Sequence, residues 1–220
     1  MMARLTGPTA ALAGTPAGVQ GHGLWAGRRQ LVIRFAGEAE TAVMYTAEAL
    51  AQELKRLLAK STFHSLAVTG RDTLGHAEYL AAVFKTWKPT LPVLLDTDGQ
   101  RPEAVRDLRE CLTVLQVTLP GDASAALVDR ALHTLREGVD AGLEHALVLD
   151  VTEQTSDGQL LRIVEQAHEA SERVSVVIHP GAQSEVAGLD RRWSTLLEQA
   201  TMRHADVRLV RRIPPPLGLR

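Results

Sequence analysis

The sequence contains a single cysteine, Cys111, among its 220 residues, and this scarcity excludes several kinds of site. One cysteine cannot close an internal disulfide, and it cannot supply the thiolates of a zinc knuckle or a four-cysteine cluster. A chain without disulfides is typical of a reducing compartment. The first residues also lack the apolar core, basic flank and cleavage site of a signal peptide. We therefore expect a cytoplasmic protein.

An excess of one charge and long apolar runs are lacking as well. The 24 Lys and Arg residues nearly balance the 26 Asp and Glu residues, for a formal net charge of -2. Nucleic-acid binding favours a basic excess, and a membrane crossing needs about 20 consecutive apolar residues, so we expect neither partner. With 45% hydrophobic and 23% charged residues, the chain has the composition of a globular protein with one sizeable core.

Composition divides the chain into a short tail and one domain. Residues 1–20 are mostly Ala, Gly, Pro and Thr, with little apolar surface to bury, which predicts a flexible tail. The remaining residues, 21–220, contain no linker and no change of composition. We therefore expect a single domain over residues 21–220.

The stretch Ser65–Gly99 carries the clearest structural pattern. It contains two short apolar runs, Leu66–Val68 and Pro92–Leu95, and each run is followed by a polar cluster with Gly, Asp and Thr. Between them, His76–Trp87 has apolar residues at helical spacing. Strand, helix and strand in about 35 residues are typical of a βαβ unit with parallel strands. Parallel sheets bind ligands beyond the carboxyl ends of their strands, where both polar clusters are expected to lie.

The same alternation of strands and helices extends along the chain. Further strands are predicted at Gln30–Phe35, Leu112–Leu119, His145–Val151, Val174–His179 and Val207–Ile213. Further helices are predicted at Thr46–Lys60, at Glu103–Glu110, from a cap at Asp122 or Ser124 to about Gly138, at Leu160–Glu172 and at Trp193–Met202. This pattern allows a barrel, a partial barrel or an open doubly wound sheet, and periodicity does not choose among them.

Short motifs at the predicted strand ends resemble those of a known family. Phe35-Ala36-Gly37 closes the first of these strands, Gly70-Arg71-Asp72-Thr73-Leu74 the second and Leu95-Asp96-Thr97-Asp98-Gly99 the third. Leu115–Leu119 and Val177–Gly181 match later strands. In this order the motifs resemble the radical S-adenosylmethionine enzymes, especially the small activating-enzyme-like group.

The resemblance spans residues 22–220, and it implies a fold. That fold is α/β, a partial parallel (βα)6 barrel of the radical S-adenosylmethionine type. Its strands are expected to begin near residues 30, 65, 91, 113, 145 and 174.

The cysteines that bind the family's iron–sulfur cluster are missing. In the family a Cys-x3-Cys-x2-Cys loop follows the first strand, and counted from Phe35 these positions hold Glu38, Ala42 and Tyr45. A carboxylate, a methyl group and a phenol do not replace three soft thiolate ligands. The departure predicts no iron–sulfur cluster and, in our interpretation, no cofactor.

The resemblance also implies a vestigial cofactor-binding site. Arg71 and Asp72 stand where the family has the second Gly and the Glu of Gly-Gly-Glu-Pro. The Arg side chain fills a position where glycine lets the backbone approach the cosubstrate. Asp96 and Thr97 match an Asp-Thr pair that forms the floor of the family's cosubstrate site. Asp72, Asp96 and Thr97 are therefore predicted cofactor-site residues, with no catalytic residue and no metal ligand among them.

The absence of cluster ligands in an otherwise regular sequence predicts a non-catalytic protein. In this interpretation the chain is a radical-S-adenosylmethionine-like protein-binding subunit or scaffold, whose partner is another protein or a second copy of itself. The predicted interface is a rim formed by Ala36–Tyr45 and Arg71–Leu74. Within it we expect Glu38, Met44, Tyr45 and Arg71 to contact the partner, because Tyr, Arg and Met are enriched in interface cores.

A second interpretation is a repurposed enzyme or a ligand-binding protein. If the sheet is curved, polar side chains at several strand ends face one cavity. These residues are Asp72, Asp96, Asp98, Thr118, Asp150 and His179. Such carboxylates and an imidazole suit a hard divalent cation, a nucleotide such as S-adenosylmethionine, or general acid–base chemistry.

Overall fold

A computed structural model describes residues 7–15, 17–151, 154–180, 189–211 and 213. Within these residues ten strands form one sheet, accompanied by six α-helices. None of the described helices combines the length and the apolarity that a membrane crossing requires.

The strands and helices alternate along most of the chain. The strands are β1 (Thr9–Gly14), β2 (Ala17–Val19), β3 (Arg29–Phe35), β4 (Val43–Thr46), β5 (Ser65–Gly70), β6 (Val93–Thr97), β7 (Val114–Pro120), β8 (Glu144–Asp150), β9 (Ser175–His179) and β10 (Val207–Leu209). The helices are α1 (Ala47–Leu58), α2 (Ala77–Thr86), α3 (Val105–Leu108), α4 (Ala125–Asp140), α5 (Asp157–Ala170) and α6 (Leu189–Thr201). Short 3₁₀ helices cover Thr73–His76 and Pro102–Ala104.

Seven neighbouring strands of the sheet are parallel and follow chain order, from β3 through β5, β6, β7, β8 and β9 to β10. The predicted α/β class is confirmed, and all seven parallel strands begin within two residues of the predicted positions. A doubly wound sheet requires a reversal of strand order, and the described strands run without one. That alternative is therefore excluded by the strand order.

Side-chain oxygens determine where several helices begin. The Thr46 hydroxyl accepts a hydrogen bond from the Ala49 N–H at 3.1 Å, which satisfies a free donor in the first turn of α1. The Ser156 hydroxyl does the same for the Gln159 N–H at 3.2 Å in α5. Because of this cap, α5 begins three residues before the predicted start at Leu160.

The two faces of the sheet bury different side chains. On the outer face, alternate strand residues such as Ile33, Val68 and Leu95 pack with the helices in two apolar clusters. On the inner face, the intervening residues are also buried but belong to neither cluster. They include aliphatic residues and five polar residues, Gln30, Ser65, Asp96, Gln116 and His179. The polar residues that could bind a ligand are thus on the side without helices.

The structure differs from the predicted tail over residues 1–20. The described part of this segment forms β1 and β2, and β1 lies between β3 and β4 in the sheet. Ala10 and Leu12 are buried there, at the alternate positions of a strand. Small residues with one Leu give too weak a periodic signal for the sequence to predict this strand.

The segment that follows β2, residues 20–28, crosses the inner face of the sheet, and we call it the inner strap. Its Gly23 N–H donates to the Nε2 of His179 in β9, and its Leu24 N–H donates to the Oε1 of Gln116 in β7. The Ile213 N–H donates to the Gly21 carbonyl at 2.8 Å. The inner strap therefore covers Gln116 and His179 on the inner face of the sheet.

Candidate functional site

Asp96 lies at the centre of the inner-face polar group. It is the fourth residue of β6 and is 9% exposed. Its Oδ2 is 2.9 Å from the Nε2 of His22 in the inner strap, and its Oδ1 accepts a hydrogen bond from the Thr118 hydroxyl at 2.7 Å. A carboxylate with both oxygens engaged orients the imidazole beside it and stabilises its protonated form. His22 and Asp96 can therefore act together as an acid–base pair.

His179 is held in one tautomer by two backbone contacts. Its Nε2 accepts the Gly23 N–H at 2.8 Å, so the ring proton is on Nδ1, which donates to the Val210 carbonyl. The rings of His22 and His179 are 6.1 Å apart between centroids. His179 thus anchors the inner strap next to the His22–Asp96 pair.

Gln116 is fully buried beside the same group. Its Oε1 accepts the Leu24 N–H at 3.0 Å, whereas its Nε2 has no hydrogen-bond partner among the described residues. Gly23 lies directly against this amide, because a Cβ on Gly23 would be 2.1 Å from Oε1. A Cβ at position 23 would therefore displace the Gln116 amide, and the φ of +79° also favours glycine.

Asp72 is engaged at the rim of the site. Its carboxylate accepts hydrogen bonds from the guanidinium group of Arg101 at 3.1–3.2 Å. Both residues have left-handed backbone conformations, with φ of +45° and +57°. Strained backbone of this kind is common at functional sites. The Thr73 hydroxyl, next to Asp72, donates to the Asp96 carbonyl at 2.9 Å and links the rim to β6.

Thr97 and Asp98 form hydrogen bonds in the turn after β6 and not with Asp96. Thr97 points to the opposite face from Asp96, and its hydroxyl accepts the Gly99 N–H at 3.2 Å in the turn after β6. Asp98 accepts hydrogen bonds from the exposed Gln100. Among the described residues no three His, Cys, Asp or Glu side chains are placed to hold a metal ion. The structure therefore gives no support to a metal site built from these carboxylates.

The segment after β3, where the family carries its cluster ligands, contains a strand in this chain. Tyr45 lies in β4, an edge strand paired with β1, and Glu38 forms an exposed ion pair with Arg71. Cys111 lies near the amino end of β7, at the opposite end of the sheet, where burial and the nearby Glu110 raise the pKa of its thiol. The residues at positions 38, 42 and 45 do not fit a cluster held by thiolates.

The predicted interface residues lie in β4 and in the segments that follow β3 and β5. Met44 in β4 is 54% exposed, and Tyr45 is half-buried against the core below the helices. Arg71 and Glu38 are exposed partners of one ion pair. Contact of these residues with another chain stays a prediction.

Sequence reasoning missed three residues of the site. Gln116 lies beside Asp96 because β6 and β7 pair in register, whereas His22 and Gly23 reach the site only because the inner strap crosses the sheet. The available signal was the sequence Gln-Gly-His-Gly at positions 20–23, which places a polar side chain between two glycines. Glycines allow a close backbone approach, but this pattern alone does not identify what the backbone approaches.

The chain was compared with known proteins by sequence. No protein-family model matches it. It is similar to the 7-carboxy-7-deazaguanine synthase of Methanothermobacter thermautotrophicus, with 23% identity over 240 aligned positions that cover 92% of this chain and 94% of that protein. This similarity supports a distant relationship to the radical S-adenosylmethionine enzymes and no closer assignment.

Two sequence-based predictions are contradicted by this comparison. The prediction of a non-catalytic scaffold is wrong, because the similarity over nearly the whole chain is to a catalytic protein and gives no indication of lost catalysis or of a protein-binding role. The prediction of a protein without a cofactor is also wrong, since the comparison relates the chain to a cofactor-dependent family. Both predictions rested on the missing cysteines, and the loss of one ligand set does not remove the rest of a site.

Proposed function

We propose that this protein is an enzyme that binds a nitrogen heterocycle on the inner face of its sheet and moves a proton through His22. The observation that carries the proposal is the hydrogen-bonded group of His22, Asp96 and Thr118 at the carboxyl ends of β6 and β7. Ligands of parallel α/β sheets bind at this end.

We further propose that the sheet curves into a partial barrel around the site. Three successive residues of the inner strap make hydrogen bonds to three different strands. His22 contacts β6, Gly23 contacts β9 and Leu24 contacts β7. In a flat sheet β6 and β9 would be about 14 Å apart, from a spacing of about 4.8 Å between neighbouring strands. Contacts from adjacent residues to both strands favour a curved sheet, with the helices on its convex side.

The ligand class is supported by the relative and by the chemistry of the side chains. The related protein is named for a 7-deazaguanine, a purine-like base with ring nitrogens and a carbonyl group. Carboxylate and amide side chains are the groups that pair with the edges of such bases. Asp96 supplies a carboxylate and Gln116 supplies an amide. The two residues lie opposite each other on the neighbouring strands β6 and β7, with their Cα positions in register.

The protein residues have separate roles in the proposed chemistry. His22 takes a proton from the bound heterocycle or returns one to it. Asp96 orients the His22 ring and stabilises the imidazolium, and the Thr118 hydroxyl holds the carboxylate in place. His179 accepts the Gly23 N–H at its Nε2 and so positions the inner strap.

The binding part of the proposal is tested with calorimetry. The probes are 7-carboxy-7-deazaguanine and hypoxanthine, each titrated into the protein at up to about 1 mM. We expect Asp96→Asn to weaken binding at least tenfold. Asp98→Asn is the matched control, because the same change is made two residues away at an exposed carboxylate, and we expect no effect. The proposal fails if neither probe binds or if the two variants bind alike.

Proton transfer is tested in the same titrations. Binding measured in buffers of different ionisation enthalpy reports the number of protons taken up or released. We expect a fractional proton change with the unmodified protein and its loss in His22→Gln. An equal proton change in both proteins would assign the titrating group elsewhere.

A further inference from the structure

The buried amide of Gln116 has a defined orientation and one unused donor. The Leu24 N–H requires an acceptor, so the atom 3.0 Å away from it is the carbonyl oxygen of the side chain. The remaining atom, Nε2, therefore carries two N–H groups and has no partner among the described residues, although the side chain is fully buried. A buried donor without an acceptor lowers stability, and such groups are rare in native structures.

Resting on the proposed function, we infer that Gln116 determines ligand specificity by donating from Nε2 to an acceptor atom of the heterocycle, after the inner strap opens to admit it. The class of ligand is a cyclic amide, in which a carbonyl oxygen and a ring N–H are adjacent. Gln116 donates to the carbonyl oxygen. Asp96, in register on the neighbouring strand, accepts from the ring N–H.

The inner strap has to move because it covers the Gln116 amide. A Cβ on Gly23 would lie 2.5 Å from Nε2, so the backbone of the inner strap occupies the space next to the donor. Gly23 and Leu24 are each held by one hydrogen bond, to His179 and Gln116, and the neighbouring Gly21 and His22 contact Ile213 and Asp96. Gly23 and Gly27 have φ near +80°, and glycine at such positions absorbs backbone rotation.

Trp25 provides a built-in reporter of this movement. It lies in the inner strap, with its ring edge-to-face against His64 at 5.1 Å between centroids. Its exposure is intermediate, while Trp87 and Trp193 are each 6% exposed in the cores below the helices. Opening of the inner strap separates Trp25 from His64 and changes its fluorescence.

Specificity is tested with hypoxanthine, which contains the cyclic amide, and with purine, which lacks the carbonyl group. We expect the unmodified protein to bind hypoxanthine at least tenfold more tightly than purine. Gln116→Met removes the donor at similar volume and should reduce that preference to less than threefold. Gln30→Met is the matched control, because Gln30 is equally buried on the same face but lies near the amino end of β3 and bonds Ser65.

A change in the melting temperature separates a ligand-binding role from a structural one. Without ligand, Gln116→Met should melt no lower than Gln30→Met, since each change removes one hydrogen-bonded and one unpaired atom of a buried amide. Hypoxanthine should change the fluorescence of the unmodified protein and not of Trp25→Phe. A preference retained in Gln116→Met, or a fluorescence change retained in Trp25→Phe, overturns this inference and leaves the proposed function standing. Failure of both probes to bind overturns the two together.

Discussion

Leu95 and Asp96 are neighbours in β6 that face opposite sides of the sheet. Leu95 is fully buried among other apolar side chains beneath the helices. Asp96 lies among polar groups beneath the inner strap, with bonds to His22 and Thr118. The outer face therefore serves stability through apolar burial, whereas the inner face keeps polar groups buried at an energetic cost.

The cost is visible in buried polar atoms that have no partner. Among the described residues there are four such atoms. Three of them are side-chain amide atoms, of Gln20 in the inner strap and of Gln30 and Gln116 on the inner face. The fourth is the Tyr79 hydroxyl in the apolar cluster, where burial raises the pKa of that group. A protein selected for stability alone would replace such glutamines with apolar residues. Their concentration on one side indicates that this side has another task.

The largest expected effect comes from the outer face. Leu95→Ala should lower the free energy of unfolding by about 2–5 kcal/mol, because it leaves a cavity in a close-packed core. The measurement is urea unfolding followed by circular dichroism. Binding of hypoxanthine, measured at low temperature where the variant is folded, should be unchanged. Weakened binding in Leu95→Ala would show that the two faces are not independent.

An intermediate effect is expected where the inner strap meets Gln116. Gly23→Ala should cost more stability than Gly142→Ala, since both glycines have positive φ, +79° and +74°, but only Gly23 faces another group closely. The positive φ alone costs about 1–2 kcal/mol. Any excess in Gly23→Ala measures the contact with Gln116. Equal melting temperatures for the two variants would mean that the inner strap tolerates a Cβ at this depth.

The smallest effect concerns His76, which stacks on Phe35 with ring centroids 4.0 Å apart. Burial lowers the pKa of His76 below its ordinary value of 6.5, with the nearby Asp72 opposing the shift. The unfolded chain therefore binds the proton more readily, and stability from this group is lost as the pH falls below about 6.5.

His76→Phe keeps the stacking and removes the titration. We expect the free energy of unfolding to fall less for this variant than for the unmodified protein between about pH 7.5 and about pH 5.5. Urea unfolding at the two pH values measures the difference. Identical losses in both proteins would assign the acid sensitivity to other groups.

Much of the fold could be predicted from local patterns. The βαβ alternation and the starts of the parallel strands follow from apolar periodicity, and the caps at Thr46 and Ser124 follow from residue type. The strands β1 and β4 could not be predicted, because their stability comes from pairing with each other and with β3. The segment after β3 is predicted as a loop, but part of it forms the edge strand β4, because β4 pairs with β1.

The candidate site was predictable only in part. Asp96 stands at a strand end in a motif of Asp, Thr and Gly, and both features mark it as a candidate from the sequence alone. Asp72, Asp98 and Thr97 carry the same marks, yet each bonds elsewhere, to Arg101, Gln100 and the Gly99 N–H. Local sequence does not distinguish a carboxylate that closes a turn from one that faces a cavity.

The sequence by itself determined the class of the fold, because helices and strands follow from periodicity and capping within a few residues. It also determined that no three thiolates stand in the loop after β3. Only the tertiary structure decided that His22 meets Asp96, 74 positions along the chain, under the inner strap. That contact depends on the path of the backbone across the sheet and on a glycine that fits against Gln116. Both are long-range packing effects, and no local pattern of residues specifies them.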